Sequence, residues 1–103
     1  MAITITIGNP MQIITRGKDH TLSFKVTNNA KEKRVLLMKL DAPTVNLRLK
    51  EALTTVDAGK DWNNSVVVHV DESTQPRDVI LAVSATSLTT GENEVVSFTL
   101  RIV

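Results

Sequence analysis

The amino-acid sequence predicts an all-β fold in which two antiparallel sheets pack face to face. Apolar residues alternate with polar ones in stretches that recur at intervals of roughly ten residues, which is typical of strands with one buried face. Val, Ile and Thr, whose branched side chains suit a pleated surface, are frequent. Phe24, Trp62 and Phe98 are the only aromatic residues, so aliphatic side chains must fill the interior.

The stretches predicted to form strands are residues 2–7, 11–15, 20–27, 35–40, 45–50, 62–70, 78–86 and 93–103. The clearest is 20–27, where Leu22, Phe24 and Val26 share one face. Residues 35–40 carry apolar side chains on both faces, which predicts a central strand. Turn-forming residues separate the stretches at Gly8-Asn9-Pro10, Gly17, Asn28-Asn29, 57–60 and 89–92.

Residues 51–56 are ambiguous, because the segment 49–54 could also close one turn of helix, though it is too short to stand alone. Seven to eight antiparallel strands at this spacing, without a convincing helix, are the signature of an immunoglobulin-like β-sandwich. An up-and-down barrel is the nearest alternative. The 103 residues contain no internal repeat and no interior linker, so we expect a single immunoglobulin-like domain spanning residues 1–103.

Composition excludes several classes of partner. Twelve basic and eleven acidic residues give a net charge of +1, too small a surplus to attract nucleic acid. No stretch approaches the ~20 apolar residues needed to cross a bilayer, and residues 1–15 lack the pattern of a signal peptide. We therefore expect a soluble chain without membrane insertion. Cysteine is absent, which fits a reducing compartment but leaves the localisation open.

Residues that could carry catalysis are few and lack partners at a suitable spacing. His20 and His69 are the only histidines, and we interpret both as surface residues. The acidic residues do not follow a calcium-loop pattern, no Ser lies in a nucleophile elbow, and no glycine-rich phosphate loop is present. The sequence therefore predicts no enzymatic activity, no cofactor and no metal site. Trp62 is interpreted as a core residue rather than a platform for sugars.

Charged loops between the predicted strands are where we expect a partner to bind, because loops present variable side chains on a rigid scaffold. The candidate residues are Lys31, Lys33, Arg34, Asp57, Lys60, Asp61, Arg77 and Glu92. Asp57 and Asp61 flank one turn, where Asp57 is predicted to cap the turn and a bound cation is the alternative. The run 31–34 is interpreted as a charged hairpin tip that keeps the sheet edges soluble.

Segments along the chain, taken in order, resemble a known family. They are the turn Gly8-Asn9-Pro10 followed by Gly17-Lys18-Asp19, the strand 21–28, the segment 34–40, and the turn 57–60 before a valine-rich strand. This order resembles the immunoglobulin-like β-barrels that follow the catalytic core of animal transglutaminases, an outline that bacterial and archaeal accessory sandwich modules share. The resemblance implies an appended, non-catalytic domain that contacts the core, influences access to it or engages partner proteins. It transfers no functional residue.

The function expected is that of a non-catalytic accessory or protein-interaction domain. Such a domain would position or regulate a partner protein or a neighbouring catalytic domain of a longer parent. The alternative is a structural assembly subunit of a virion, pilus or surface layer, in which strand 2–7 pairs with the edge of a neighbouring chain. A carbohydrate-binding sandwich is disfavoured, because such a site would need exposed aromatic residues.

Overall fold

The computed structural model describes residues 2–103, which form nine strands and no helix. The strands are β1 (Ile3–Ile7), β2 (Met11–Ile14), β3 (Asp19–Asn28), β4 (Arg34–Asp41), β5 (Asn46–Leu47), β6 (Glu51–Val56), β7 (Asp61–His69), β8 (Arg77–Ser87) and β9 (Asn93–Ile102). They build two sheets, ordered β1-β3-β7-β5 in sheet A and β2-β9-β8-β4-β6 in sheet B. The predicted all-β sandwich is confirmed. Residues 2–103 include no helical segment able to cross a bilayer.

The two sheets share one interior made almost entirely of aliphatic side chains. Leu81 and Phe98 face each other across neighbouring strands of sheet B, and both are fully buried. Burying a side chain of this size stabilises the fold by about 1.5–3 kcal/mol. The rings of Phe24 and Trp62 meet edge to face with their centroids 6.0 Å apart, an arrangement that aromatic pairs favour. Trp62 therefore packs against the core, as the sequence predicts.

β1 and β2 are two halves of one strand that changes sheets. β1 pairs antiparallel with β3, from Ile3 opposite Asn28 to Ile7 opposite Phe24. Gly8-Asn9-Pro10 then interrupts the ladder, since proline has no N–H to donate, and the chain crosses to sheet B. There β2 continues in the same direction and pairs parallel with β9. The structure thus differs from the prediction of seven to eight antiparallel strands by one parallel pair and by a ninth strand.

Residues 51–56, which the sequence leaves between helix and strand, form β6. They pair with β4 in an unbroken antiparallel register. The possible helical turn at 49–54 is therefore wrong, because a partner distant in sequence decides the conformation where local propensity does not.

The predicted strand 45–50 shortens to the two residues of β5. The reason is that the chain leaves sheet A for sheet B within this segment. The N–H of Arg48 still donates to Val67 of β7 at 3.1 Å, whereas the carbonyl of Lys50 already accepts from Leu40 of β4 at 2.9 Å. A segment that bonds to both sheets in turn cannot extend a ladder in either.

The turn between β2 and β3 requires glycine at position 17. Gly17 has a φ of +78°, in the left-handed region that other residues avoid, and its N–H donates to Val70 at 2.7 Å. A Cβ at this position would lie 2.6 Å from Cγ of Glu72. Gly91 has a similar φ of +76°, but a Cβ there would meet open space.

Replacing Gly17 by Ala is expected to lower the free energy of unfolding by about 1–2 kcal/mol, because the left-handed backbone at this position strains any residue with a Cβ. Gly91→Ala should cost about the same, because its φ is similar and the exposed side chain of Glu72 can turn away from a Cβ at position 17. Urea denaturation measures both changes. The control is Gly8→Ala, where the backbone is not left-handed and a Cβ would meet open space, and an equal loss at Gly8 would contradict the assigned strain.

Candidate interaction surface at the Asn28 end

The topology gathers three loops at one end of the sandwich, where β3 leads to β4, β6 to β7 and β8 to β9. We name this the Asn28 end and define it as the loops 28–34, 56–61 and 87–93. It holds seven of the eight charged residues that the sequence singles out: Lys31, Lys33, Arg34, Asp57, Lys60, Asp61 and Glu92. Arg77 begins β8 at the opposite end, where its guanidinium donates to the hydroxyl of Thr44.

One buried asparagine side chain joins two of these loops to β3. The amide nitrogen of Asn28 donates to the carbonyls of Glu32 and Val56, in both cases at 2.9 Å. Its amide oxygen accepts the N–H of Ala30, also at 2.9 Å, so the predicted asparagine turn is confirmed. Asn28 is fully buried, and its side chain has the partners that a buried polar group requires.

The backbone of Asn28 and a second buried polar residue complete the framework. The N–H of Asn28 donates to Lys60 at 3.0 Å, and its carbonyl accepts from Gly59 at 2.8 Å. Ser87 is the other buried polar residue among residues 2–103, and its hydroxyl accepts the N–H of Thr90 at 3.2 Å. Each of the three loops is therefore held by a hydrogen bond to a buried group, which restricts the geometry of the whole end.

Arg34 differs from the other candidate residues because its side chain is largely buried. The predicted hairpin tip at 31–34 is wrong, because this loop joins β3 of sheet A to β4 of sheet B. Arg34 is the first residue of β4, and its side chain is only 14% exposed. The physical reason is the two-residue period of the strand, which puts Arg34 on the same inward face as the buried Leu36. The charged run is thus split, with Lys31 and Lys33 exposed and Arg34 turned towards the protein.

The guanidinium of Arg34 is incompletely bonded. It lies 3.9 Å from Oε2 of Glu32 and 3.8 Å from Oε1 of Glu92, too far for hydrogen bonds to either carboxylate. Its buried Nε has no hydrogen-bond partner among residues 2–103. Arg34 therefore connects the 28–34 and 87–93 loops by charge, while part of its donor capacity is unused.

The charges at the Asn28 end balance in sign. The basic residues Lys31, Lys33, Arg34 and Lys60 are matched by the acidic residues Glu32, Asp57, Asp61 and Glu92. Asp61 accepts a hydrogen bond from the Thr27 hydroxyl at 2.7 Å, and the carbonyl of Asp57 closes its turn by accepting from Lys60 at 3.1 Å. Residues 2–103 contain no group of three His, Cys, Asp or Glu side chains placed to hold a metal ion. The surface therefore presents positively and negatively charged side chains close together.

A second polar cluster lies near the opposite end, on the outer face of sheet A. Asp19 accepts from Arg48 at 2.8 Å, and its other oxygen lies 2.8 Å from Nδ1 of His69. A carboxylate on one ring nitrogen orients the histidine of hydrolytic triads, but no hydroxyl within residues 2–103 bonds to the other nitrogen of His69. Nε2 of His20 accepts the N–H of Thr15 at 3.0 Å, so this histidine closes a turn.

One further ion pair stands on the outer face of sheet B. Asp78 and Arg101 lie opposite each other in β8 and β9, with Nε 3.1 Å from Oδ1. The hydrogen bond from Arg101 lowers the pKa of the Asp78 carboxyl, and the same bond raises the pKa of Arg101. Because both side chains are exposed, the pair contributes little to stability, and it lies away from the Asn28 end.

No family model matches this chain, and no curated protein matches it either. Solved structures do. Alpha-2-macroglobulin of E. coli matches 99% of this chain at 15% identity with a TM-score of 0.80, and the chain spans 7% of that protein. A FixG-related protein from Vibrio parahaemolyticus matches at 10% identity with a TM-score of 0.68, over 97% of this chain and 94% of that one. The PapD-like domain 7 of human CEP192 matches at 8% identity with a TM-score of 0.63, over 98% and 83%.

At these identities the similarity concerns the fold alone. It supports the immunoglobulin-like sandwich that the sequence predicts. For the resemblance to the barrels of animal transglutaminases, the comparisons support the immunoglobulin-like fold and nothing more specific. Many unrelated proteins share that fold.

Replacing Asn28 by Ala is expected to reduce the free energy of unfolding by about 2–4 kcal/mol. The carbonyls of Glu32 and Val56 and the N–H of Ala30 would lose their partners in a site that is wholly or partly buried, at a cost of roughly 1–3 kcal/mol for each group left unsatisfied. Denaturant unfolding followed by the fluorescence of Trp62 measures the change.

The matched control is Asn29→Ala. Asn29 is exposed and its amide donates to the hydroxyl of Thr4, so the expected change is within about 0.5 kcal/mol. Equal losses at Asn28 and Asn29 would show that the buried amide does not hold the loops together.

Replacing Arg34 by Met is expected to leave stability unchanged or to raise it by up to about 1 kcal/mol. The methionine keeps the apolar stem of the arginine and removes a buried donor without a partner, and exchanging buried charges for apolar groups is often neutral or favourable. Thermal and urea unfolding test this. A loss above about 1 kcal/mol would mean that the ion pairs with Glu32 and Glu92 stabilise the fold more than their distances indicate.

Proposed function

We propose that this chain is a non-catalytic interaction module that positions or regulates a partner protein or a neighbouring catalytic domain, and that the Asn28 end is its contact surface. The observation that carries the proposal is the gathering of seven of the eight candidate loop charges at one end of the sandwich. Loops on a rigid sandwich are a common site of recognition.

Preorganisation of the loops supports the proposal. Association is stronger when the contact surface does not have to be ordered on binding. The amide of Asn28 and the hydroxyl of Ser87 hold the three loops through hydrogen bonds to buried groups. The loop backbones that carry the exposed Lys31 and Lys60 can therefore meet a partner without first being ordered, so that the side chains alone lose freedom.

The incomplete bonding of Arg34 gives a second reason. A buried guanidinium with an unused donor does not improve stability, and residues of that kind concentrate at functional sites. Arg34 lies between Glu32 and Glu92, each within ion-pair distance. The unbonded Nε is itself buried, but a carboxylate or carbonyl of the partner can bond to the exposed part of the guanidinium, to which both acids are too distant to bond.

The transglutaminase resemblance implies that a domain of this kind is appended to a catalytic core, and we include that arrangement in the proposal. The alternative, assembly of a virion, pilus or surface layer through strand 2–7, has less support. Ile3 and Ile5 form the apolar face that would reward pairing, and both are buried in the core of this chain. The outward side chains of β1 are Thr4 and Thr6.

Photo-crosslinking from single positions tests the contact surface in the cells that make the protein. A crosslinking residue at position 31 or 60 should capture the same protein, whereas one at Lys18, which is exposed at the opposite end, should not. Charge reversal at Lys60 should then weaken binding of that protein by about fivefold or more, on the order of 1 kcal/mol. Capture from position 18 alone, or Lys60→Glu without effect on affinity, would rule out the Asn28 end as the contact surface.

A further inference from the structure

β6 is an edge strand of sheet B with one free side. It pairs with β4 on one side, and no other strand of residues 2–103 lies against it. The N–H of Leu40 donates to the carbonyl of Lys50 at 2.9 Å, which fixes the phase of the ladder. Because hydrogen-bonded pairs alternate along antiparallel strands, the N–H and C=O groups of Glu51, Leu53 and Thr55 point away from β4.

This edge lacks the devices that usually keep strands from pairing with another chain. Natural edges are short, bulged, or interrupted by Lys or Pro. β6 has six residues, reads Glu-Ala-Leu-Thr-Thr-Val, and keeps its register with β4 from one end to the other. By contrast, β5, which is an edge strand of sheet A, has only two residues.

An apolar cluster borders the free edge. Leu53 is 65% exposed and stands directly opposite Leu37 of β4. The half-buried Val35 lies two residues before Leu37 in β4. The N–H of the exposed Leu88 donates to the carbonyl of Val35 at 2.9 Å. These four side chains share the outer face of sheet B, so a strand added beside β6 would bury apolar surface as well as pair backbone groups.

We propose that β6 pairs with β6 of a second copy of this chain, in an antiparallel two-fold dimer that joins the two B sheets into one. The two-fold axis passes through Leu53, which faces Leu53 of the second copy. Glu51 of each copy then faces Thr55 of the other. All three free backbone positions of each strand are satisfied, and the two Leu53 side chains extend the apolar cluster across the axis.

The free backbone positions select this register and a second copy as the occupant. Only an axis at Leu53 pairs the three free positions of one β6 with the same three positions of the other, and a second copy presents them at the matching spacing. Shifting the axis to Glu51 would place two carboxylates directly opposite each other, and shifting it to lie between Leu53 and Thr55 would place Glu51 opposite Asp57. Like charges directly opposite in a sheet are destabilising. With the axis at Leu53, Glu51 faces Thr55 of the second copy, and no like charges lie directly opposite each other. Each Glu51 also keeps Lys39, its cross-strand partner in its own copy.

Sedimentation equilibrium of the full chain tests the proposal. The wild type should approach twice the 11.3 kDa chain mass as its concentration rises, and Leu53→Lys should remain at the single-chain mass. Ile13→Lys is the matched control, because Ile13 is 62% exposed on β2, the other edge strand of sheet B. It should dimerise like the wild type. Circular dichroism and a cooperative melt establish that each variant is folded.

Cysteine crosslinking tests the register, since the chain has no cysteine of its own. Directly opposite residues of a hydrogen-bonded pair have Cα atoms about 5.5 Å apart, within the range that a disulfide spans. Leu53→Cys should therefore form a disulfide dimer on mild oxidation, and Ile13→Cys should not. Glu51→Cys and Thr55→Cys should each form no disulfide alone but should crosslink when mixed, because like positions are separated by roughly 13 Å along the strands.

A wild type that keeps the single-chain mass at millimolar concentration would overturn the proposal. So would a dimer that Ile13→Lys abolishes and Leu53→Lys leaves intact. Crosslinking of Glu51→Cys with itself would reject the proposed register. Of the residues of the Asn28 end, only Val56 and Leu88 border this contact, and Lys60 lies outside β6. Charge reversal at Lys60 should therefore leave the dimer unchanged, and failure of either proposal can be told from failure of the other.

Discussion

The exclusion of water from one aliphatic interior between two sheets is the constraint on which the rest of this structure depends. Every strand that contributes to that interior must present an apolar side chain at alternate positions, as β8 does with Val79, Leu81 and Val83. Asn28 and Ser87, the two buried polar residues of the described chain, both have hydrogen-bond partners, and the buried Nε of Arg34 is the exception. Chemistry that needs charge is thereby confined to the loops and to the outer faces of the sheets.

The strands with strict alternation could be predicted from the sequence, because their pattern reflects burial on one face. Residues 20–27 and 93–103 are of this kind, and both appear as long strands. What the pattern does not contain is the partner of each strand. β6 is a strand because β4 lies beside it, β5 is short because the chain changes sheets there, and β2 is parallel to β9 because β1 and β2 keep one direction across Gly8-Asn9-Pro10.

The candidate surface shows the same division. Charge and turn chemistry identify Lys31, Asp57 and Glu92 as loop residues, but their meeting at one end follows from sheet topology, which spacing along the chain does not reveal. The inward turn of Arg34 follows from the phase of β4, which begins one residue earlier than predicted. The contact between Asp19 and His69 joins residues 50 positions apart, and only the register of β3 and β7 brings them together.

The passage of the first strand from one sheet to the other also determines how the molecule would respond to force. Ala2 lies at one end of a body 47 Å long, where its carbonyl accepts from Asn29, and Val103 lies at the other, where its N–H donates to Ile14. Because β2 and β9 run parallel, tension between the two termini would slide these strands past each other. Their hydrogen bonds would then bear the load together as a shear, instead of opening one after another as in a peeled hairpin. We therefore expect the ladder between β2 and β9 to be the part of the sandwich that resists stretching.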